Sequence, residues 1–384
     1  MSDDATRERA ERALIQARLL AADAPKRDAD RAGPGTEQAK SEAAGMNPET
    51  ARVEQAEPQR RRVEVERVSG KGMLFIADPH LADTPPGQRL PGYREQILGK
   101  VRACLEHARD ADLVPVFLGD LFNWPRENSN TLLVELIALF APQRPFVLVG
   151  NHDKYQARYT SDVSLAVLAA AGVSRLMAEP GPQFLLETPE AKVLVGATPD
   201  GYRIPSLFTP APDGPESEAD VVVWLTHHNI QFPDFPDKAH RIKEIEGVDW
   251  VVNGHIHRPQ ATIRVGGTAW ANPGNITRLA YVRRLKERVP AASIWTPGRE
   301  DLDYWPVPYL PFEEVFPDLG FPPETSEASN ERRSKFLEGL ERLNWRRTRE
   351  GLGLKQFLET NLNPELPEAG LVWELYEEVT RGDQ

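Results

Sequence analysis

Five short motifs contain most of the histidine, aspartate and asparagine side chains in the central part of the chain that could do chemistry. They are DPH, GD, GNHD, HH and GHIH. Four of them directly follow an apolar run, and DPH straddles the end of one. The candidate ligands are Asp78, His80, Asp120, Asn151, His227, His255 and His257. Carboxylate, amide and imidazole donors without a thiolate are typical of Mn, Fe or Zn sites.

The number of these donors exceeds what a single tetrahedral site needs. Two aspartates, one asparagine and four histidines instead predict two metal ions that share one carboxylate. Two metals roughly 3.5–4 Å apart can generate a nucleophile and hold both the entering and the leaving oxygen of a phosphoryl group. Each motif alone is a weak signal, but their order and their common position after apolar runs together predict a phosphoester hydrolase.

The apolar runs that precede the motifs have the length of buried strands. MLFIAD, LVPVFLGD and RPFVLVGN alternate with helical patterns, and KVLVGAT, VVVWLTH and VDWVVNGH follow as further strands. This alternation predicts an α/β layer protein whose ligand site lies beyond the carboxyl ends of the strands. Neighbouring side chains point to opposite faces of a strand, so only one of His227 and His228 can face the site. His227 is the first residue at the strand end, and we therefore favour it as the ligand.

Composition narrows the class of protein. The 384 residues carry a formal net charge of -12, which excludes a generally basic nucleic-acid binder. A single cysteine excludes a disulfide framework and any cysteine-rich metal site. No apolar run has the length of a membrane span, and the acidic start MSDDATRERAERA lacks the apolar region of a secretory signal. We therefore expect a cytoplasmic protein that does not enter a membrane.

The motif series resembles that of the calcineurin-like metallophosphoesterases, DxH, GD, GNH[DE], H and GHxH, over roughly residues 72–280. The resemblance implies a four-layer α/β/β/α sandwich. It implies a first metal held by Asp78, His80 and His257, a second held by Asn151, His227 and His255, and Asp120 as the bridge. It also implies that His152 protonates the leaving oxygen or stabilises the transition state, and that Asp153 orients His152 through a hydrogen bond.

Two longer segments, GDLFNWPRENSN and NGHIHRPQATIRVGGTAWANPGNITR, are similar to segments of the SbcD-type DNA exonucleases. This finer resemblance implies a DNA nuclease that uses a metal-bridging hydroxide, with two Mn²⁺ ions or with Fe or Zn in their place. It also implies an SbcC-type, SMC-like ATPase partner that binds the C-terminal helices, and homodimerisation. PGN in place of the more usual PGS, and a short cap, count against a processive double-strand exonuclease.

Two other functions stay open. The same site could belong to a metallophosphatase or phosphodiesterase that acts on nucleotides, small phosphoesters or phosphoproteins, because a fold does not decide its substrate. A non-catalytic scaffold is disfavoured because every ligand is present. Arg126, Arg158 and Arg278 lie near the motifs and could contact phosphates, although surface or packing roles are the plainer interpretation. Trp124 and Tyr155 could stack on a base.

The chain divides into four predicted segments. Residues 1–70 are polar and turn-rich, and we expect a largely disordered tail. Residues 71–280 form the metallophosphoesterase domain, and residues 281–325 form a small β-rich cap or linker. Residues 326–384 are predicted to form a helical tail, which is too short to bury a core by itself.

Overall fold

The structure, a computed structural model, describes residues 65–235 and 240–321 together with Gly370 and Trp373. Its strands form two sheets. The strands are β1 Glu66–Ser69, β2 Gly72–Ile76, β3 Leu113–Phe117, β4 Phe146–Leu148, β5 Arg175–Met177, β6 Gly181–Glu187, β7 Lys192–Thr198, β8 Val221–Thr226, β9 Trp250–Asn253, β10 Gln260–Val265, β11 Thr268–Asn272, β12 Ala291–Trp295 and β13 Asp303–Pro306. One sheet has the order β1-β6-β7-β8-β9-β11-β10, and the other β13-β12-β2-β3-β4-β5.

Helices cover the outer face of the six-stranded sheet. They are α1 Tyr93–Ala111, α2 Asn130–Phe140 and α3 Ser164–Ala170, and a single turn, α4, spans Phe312–Val315. All three longer helices lie where the helical patterns of the sequence predict them. The buried face of α1 includes Ile97, Val101 and Cys104, which pack against Leu74 and Ile76 of β2. This apolar stripe repeats with the period of a helix, so burial of one face fixes its position.

The two sheets pack face to face over a second apolar layer. Strand alternation sends Met73 and Phe75 of β2 into this layer, opposite to Leu74 and Ile76. Phe146 of β4 stacks on Phe184 of β6 with ring centroids 3.9 Å apart, which joins the two sheets. The predicted α/β fold with two central sheets is therefore confirmed.

The outer face of the seven-stranded sheet is covered differently. Its apolar side chains, among them Trp224 and Trp270, pack against side chains such as Ile204, Phe232 and Ile245. In the part of the chain that the structure describes, these partners lie in irregular segments rather than in α-helices. The fourth layer of the sandwich is thus built there from loops, which bury enough apolar surface to close the core without a helical stripe.

Both ends of the domain differ from the predicted boundaries. β1 lies inside the segment predicted to be a tail, where it pairs in parallel with β6. β12 and β13 lie in the segment predicted to be a cap, but they form a hairpin that extends the six-stranded sheet next to β2. Most of residues 1–70 and 326–384 lies outside the described residues, so the predictions for those segments stay predictions. Among the described residues, no helix is both long and apolar enough to cross a membrane.

Candidate metal centre

The strands that carry the motifs run in parallel, so their carboxyl ends meet at one edge of the sandwich. β2, β3 and β4 are neighbours in one sheet, and β8 and β9 are neighbours in the other. Each motif begins within two residues of the end of its strand. The structure therefore brings together all seven candidate ligands, in agreement with the general position of ligand sites in parallel sheets.

Two groups of ligand atoms form in this cluster. Asp78, His80, Asp120 and His257 make up the first, and Asp120, His227 and His255 make up the second; within each group the atoms lie within 4.8 Å of one another. Asp120 belongs to both groups, which is the arrangement needed for a carboxylate that bridges two cations. Carboxylate oxygens and imidazole nitrogens together suit divalent cations of Mn, Fe or Zn.

The first group faces a common point. The Nε2 atoms of His80 and His257 lie 3.0 Å apart, and His257 Nε2 is 3.8 Å from Asp78 Oδ1. His80 Nε2 is 3.8 Å from Asp120 Oδ2. Asp78 is fully buried and accepts hydrogen bonds from the backbone N–H of His255 at 3.0 and 3.2 Å. Two imidazole and two carboxylate groups therefore converge on this point.

The second group includes the asparagine of GNHD. Asn151 Oδ1 lies 2.7 Å from His255 Nδ1 and 3.2 Å from His227 Nε2. His227 Nδ1 donates a hydrogen bond to the carbonyl oxygen of Leu118 at 2.6 Å. This bond places the proton on Nδ1 and leaves Nε2 to face the cluster, as is usual for a metal-ligating histidine. His228 points the other way and donates from Nε2 to Tyr202 O at 2.8 Å, as strand alternation predicts.

The backbone around the cluster is strained. Six non-glycine residues in the described ranges have positive φ, and four of them, Asp78, His80, Asp120 and His255, belong to the cluster. Such left-handed conformations are unfavourable for residues with a Cβ atom and are concentrated at functional sites. The tight turns after the strands direct these side chains into the crevice.

Three motif glycines surround the His227 ring. A Cβ atom at Gly119 would lie 2.3 Å from His227 Nδ1, and one at Gly150 would lie 2.3 Å from Asp120 Oδ1. At Gly254 it would lie 2.2 Å from Leu118 O. The glycines of GD, GNHD and GHIH are therefore required because the ligands pack directly against the backbone.

Burial and mutual charge control the protonation of the cluster. Burial raises the pKa of Asp78 to about 8. Burial alone would also raise the pKa of Asp120, but His227 and His152 hold it well below its usual range. Burial would lower the pKa of His227, but Asp120 and Asp78 raise it to about 10. A buried carboxylate thus holds a proton on His227, and a divalent cation would take the place of that proton.

His152 lies at the rim of the cluster, where it is 9% exposed. Its Nε2 is 4.0 Å from Asp120 Oδ2, and its ring packs edge-to-face on His80 with centroids 4.6 Å apart. Its Nδ1 donates to the backbone carbonyl of Asn123 at 2.7 Å. Nε2 is consequently the atom directed at the crevice, in a position from which it can exchange a proton with a substrate.

The prediction that Asp153 orients His152 through a hydrogen bond is wrong, because the two side chains have other partners. Asp153 is fully buried and accepts hydrogen bonds from the backbone N–H of Gly150 at 2.9 Å and of Phe122 at 3.1 Å. It therefore ties the turn after β3 to the turn after β4. The carbonyl of Asn123 is the acceptor that orients His152. Every residue has a backbone carbonyl, so the residue types could not predict this acceptor.

The three arginines proposed for phosphate contacts differ in position. Arg278 is 4% exposed and donates hydrogen bonds to the carbonyls of Arg288 and Leu310, so the structure does not place it with the candidate metal ligands. Arg126 pairs with Asp162 and lies over the ring of Tyr155, 3.5 Å from its centroid. Arg158 donates to Gly201 O. Both of these arginines stay partly exposed on loops that follow the motif strands.

Other residues of the site carry weaker sequence signals. Asn229 directly follows the HH pair, and its Oδ1 lies 3.0 Å from His255 Nε2. Tyr93 of α1 donates to the carbonyl oxygen of His80 at 2.9 Å. Lys154, next to GNHD, pairs with Asp200 at 2.6 Å. The positions of Asn229 and Lys154 next to motifs could have indicated them from the sequence, whereas Tyr93 lies far from every motif along the chain.

Comparisons with known proteins agree with this geometry. Residues 73–259 match the family model of the calcineurin-like phosphoesterases. The DNA double-strand break repair protein Mre11 of Methanopyrus kandleri is 23% identical over 239 residues, which cover 56% of this chain and 51% of that protein. The chain thus spans about half the length of this curated relative.

Two solved structures are similar at low identity. The NAD nucleotidase of Haemophilus influenzae is 13% identical with a TM-score of 0.37, covering 62% of this chain and 49% of that one. A 5'-nucleotidase precursor from Thermus thermophilus is 13% identical with a TM-score of 0.36, covering 71% and 59%. At these TM-scores neither likeness carries an argument about function. The family match and the His/Asp cluster at the strand ends show that residues 73–259 form a calcineurin-like phosphoesterase domain.

Proposed function

We propose that the protein is a two-metal phosphodiesterase that cleaves DNA. The observation that carries the proposal is the pair of ligand groups that share Asp120, with His152 beside them at the rim. Two divalent cations, Mn²⁺ in our proposal, would supply the charge that activates a nucleophile and neutralises a phosphoryl group when they are bound. Asp78, His80 and His257 would hold one cation, Asn151, His227 and His255 the other, and Asp120 both.

The chain's own groups account for positioning and proton transfer. The His152 imidazole is fixed by its bond to the Asn123 carbonyl, so its Nε2 faces the place where a leaving oxygen would sit. A general acid that is held in this way contributes roughly 10²–10⁴-fold to a rate. Asp153 keeps the two turns that carry Asp120 and His152 together. The burial of Asp78, Asp120 and His227 strengthens these interactions.

DNA as the substrate class rests on other features. The curated relative Mre11 is named as a repair protein for DNA double-strand breaks. The loops after β3 and β4 carry Trp124 and Tyr155, both half-buried, together with the exposed Arg126 and Arg158. Aromatic rings and arginines next to a metal centre suit an unpaired nucleotide. The net charge of -12 confines any contact with DNA to this local region.

A second candidate is a hydrolase of nucleotides or other small phosphoesters. It is favoured by the engagement of the arginines: Arg126 pairs with Asp162, and Arg278 is buried against carbonyls. With these two arginines engaged, the site suits a substrate whose phosphate contacts the metals alone. An SbcC-type ATPase partner, homodimerisation and a cytoplasmic location stay predictions from the sequence.

The substrate class can be tested with one panel of substrates. Full-length protein supplied with Mn²⁺ would be given linear duplex DNA, single-stranded DNA, an aryl phosphodiester and a 5'-mononucleotide. We expect degradation of DNA, with single strands or duplex ends attacked first. Hydrolysis of the mononucleotide or the aryl ester with intact DNA would refute the nuclease proposal and support the second candidate.

The role of His152 can be tested separately. His152→Ala should retain both metal ions, measured by mass spectrometry of the dialysed protein, and should lose roughly 10²–10⁴-fold in turnover. His107→Ala is the matched control, because His107 stacks on Trp305 away from the motifs, with ring centroids 4.3 Å apart. Loss of a metal ion in His152→Ala, or equal turnover in the two variants, would contradict the proposed acid.

A further inference from the structure

A cavity of about 410 Å³ lies beside helix α1 and is separate from the metal centre. Its lining combines basic and apolar side chains. The basic side chains are Arg89, Lys100 and Arg278, and the apolar wall includes Pro308, Tyr309 and Leu310. Among the described residues that line it, none belongs to the candidate ligands.

The three basic side chains are buried, with exposures of 8% for Arg89, 6% for Lys100 and 4% for Arg278. Their hydrogen bonds go to neutral oxygens. Lys100 Nζ donates to Ile276 O at 2.9 Å, and Arg89 donates to Arg278 O at 3.1 Å. The Nε atom of Arg89 is buried and has no hydrogen-bond partner. Carbonyl oxygens hold these groups in place but do not neutralise their charge.

Carboxylates lie only at the margin of this cluster. Glu95 lines the cavity and is exposed. Glu313 acts on Arg278 from a distance but forms its ion pair with Lys286, at 2.8 Å. In residues 65–235 and 240–321, no ion pair joins a carboxylate to Arg89, Lys100 or Arg278. Buried charges are normally paired, so an unpaired group of three is unusual.

The mutual repulsion of these groups is visible in their protonation. Burial, and then the charges of Arg89 and Arg278, lower the pKa of Lys100 to about 7. Burial and Arg278 lower the pKa of the neighbouring Arg288 to about 10. A bound anion would relieve both the desolvation and the repulsion, because charge-assisted hydrogen bonds to a phosphate or carboxylate are the strong ones.

We propose that this cavity is a binding site for a small organic phosphomonoester. The doubly charged head group would contact Arg89, Lys100 and Arg278, and an apolar or aromatic body would lie against Pro308, Tyr309 and Leu310. The volume falls in the range of small-molecule sites, which are mostly apolar with a few polar groups that fix orientation. Three basic side chains, two of them arginines, exceed what a monocarboxylate needs, and this favours a phosphate head group.

The site is adjacent to the metal centre through one loop. Lys100 holds the carbonyl of Ile276, whose own N–H donates to Ala77 O at 3.1 Å. Asn275 N donates to His257 O at 3.2 Å. The ligand site and the metal centre therefore lie on opposite sides of residues 275–278, and binding at one site can be measured without the other.

Binding of phenylphosphonate, a phosphomonoester analogue that is not hydrolysed, tests the proposal. Calorimetry on the full chain, with Mn²⁺ and after treatment with EDTA, should detect a binding event that persists without metal. Phenol, which has the same body without the charge, should not bind. Absence of binding after EDTA, or equal binding of phenol, would overturn the proposal. The EDTA arm makes this outcome independent of the proposed nuclease activity.

Two variants test whether phenylphosphonate binds in this cavity. Lys100→Met should weaken binding by roughly tenfold or more, the loss expected for a charged hydrogen bond. In Gly99→Leu the added side chain projects into the cavity, because a Cβ there meets no atom within 4 Å, so this variant should fold and lose binding. The control is Arg109→Gln, which removes an exposed charge from the same helix. Equal affinity in all three variants would show that the ligand binds elsewhere.

Discussion

Gly119→Ala tests whether the glycine of the GD motif is required by its contact with His227. The residue has φ of +98°, and a Cβ there would lie 2.3 Å from His227 Nδ1 and 2.9 Å from the ring carbons Cε1 and Cγ. The ring has no room to move, because it is fully buried and its Nδ1 is bonded to Leu118 O at 2.6 Å. The substitution must therefore displace either the turn or the ligand.

The expected loss in free energy of unfolding has two parts. An alanine at positive φ costs roughly 1–2 kcal/mol in conformational strain. The overlap with His227 adds roughly 1–3 kcal/mol, as is usual when atoms are inserted into a packed core. Gly172→Ala is the matched control: its φ is +70°, and an added Cβ would meet no atom within 4 Å. That variant should show only the first part of the loss.

Urea unfolding of both variants without metal measures the difference, and dialysis followed by metal analysis measures the consequence for the site. We expect Gly119→Ala to be less stable than Gly172→Ala by roughly 1–3 kcal/mol. It should also bind its second metal ion roughly 10–100-fold more weakly, because a displaced ligand no longer faces the cluster. If the two variants were equally stable and both kept their metals, the close contact would not be the reason for glycine at this position.

Three further predictions concern packing and capping. Ser129 caps α2 by accepting a hydrogen bond from the N–H of Leu132 at 3.1 Å, so Ser129→Ala should lower the free energy of unfolding by about 1 kcal/mol; an unchanged urea midpoint would refute the cap. Trp224 is buried and donates to Thr198 at 2.8 Å; Trp224→Phe should therefore lose roughly 2–3 kcal/mol in the same assay, and a neutral change would contradict this contact. Burial raises the pKa of Cys104 to about 12, so a thiol reagent at pH 8 should label the chain only after unfolding, and rapid labelling of the native protein would contradict its position in the core.

The strands and the ligand set could be predicted because they depend on local pattern. Short apolar runs predict buried strands, and a polar residue such as Asp120 directly after a run must lie at a strand end. The two-residue period of a strand is enough to separate His227 from His228. The helical period of α1 likewise predicts its buried residues, among them Cys104.

Contacts between segments distant in sequence could not be predicted in this way. The acceptor that orients His152 is the carbonyl of Asn123, whereas the resemblance to the family implied Asp153. Arg278 ends the segment that begins with the last motif, but the chain that returns at Leu310 contacts it and contributes to its burial. Residue types near a motif indicate candidates, whereas burial and hydrogen-bond partners depend on which segments pack together.

The sequence by itself determined the seven candidate ligands and the layered α/β fold, because strand period and motif order are properties of neighbouring residues. Only the tertiary structure decided that Asp120 is common to two ligand groups and that β12 joins the sheet next to β2. The cavity at Lys100 also exists only in three dimensions. Its cations come from three separate segments of the chain, and their charge becomes unusual only when folding removes them together from water.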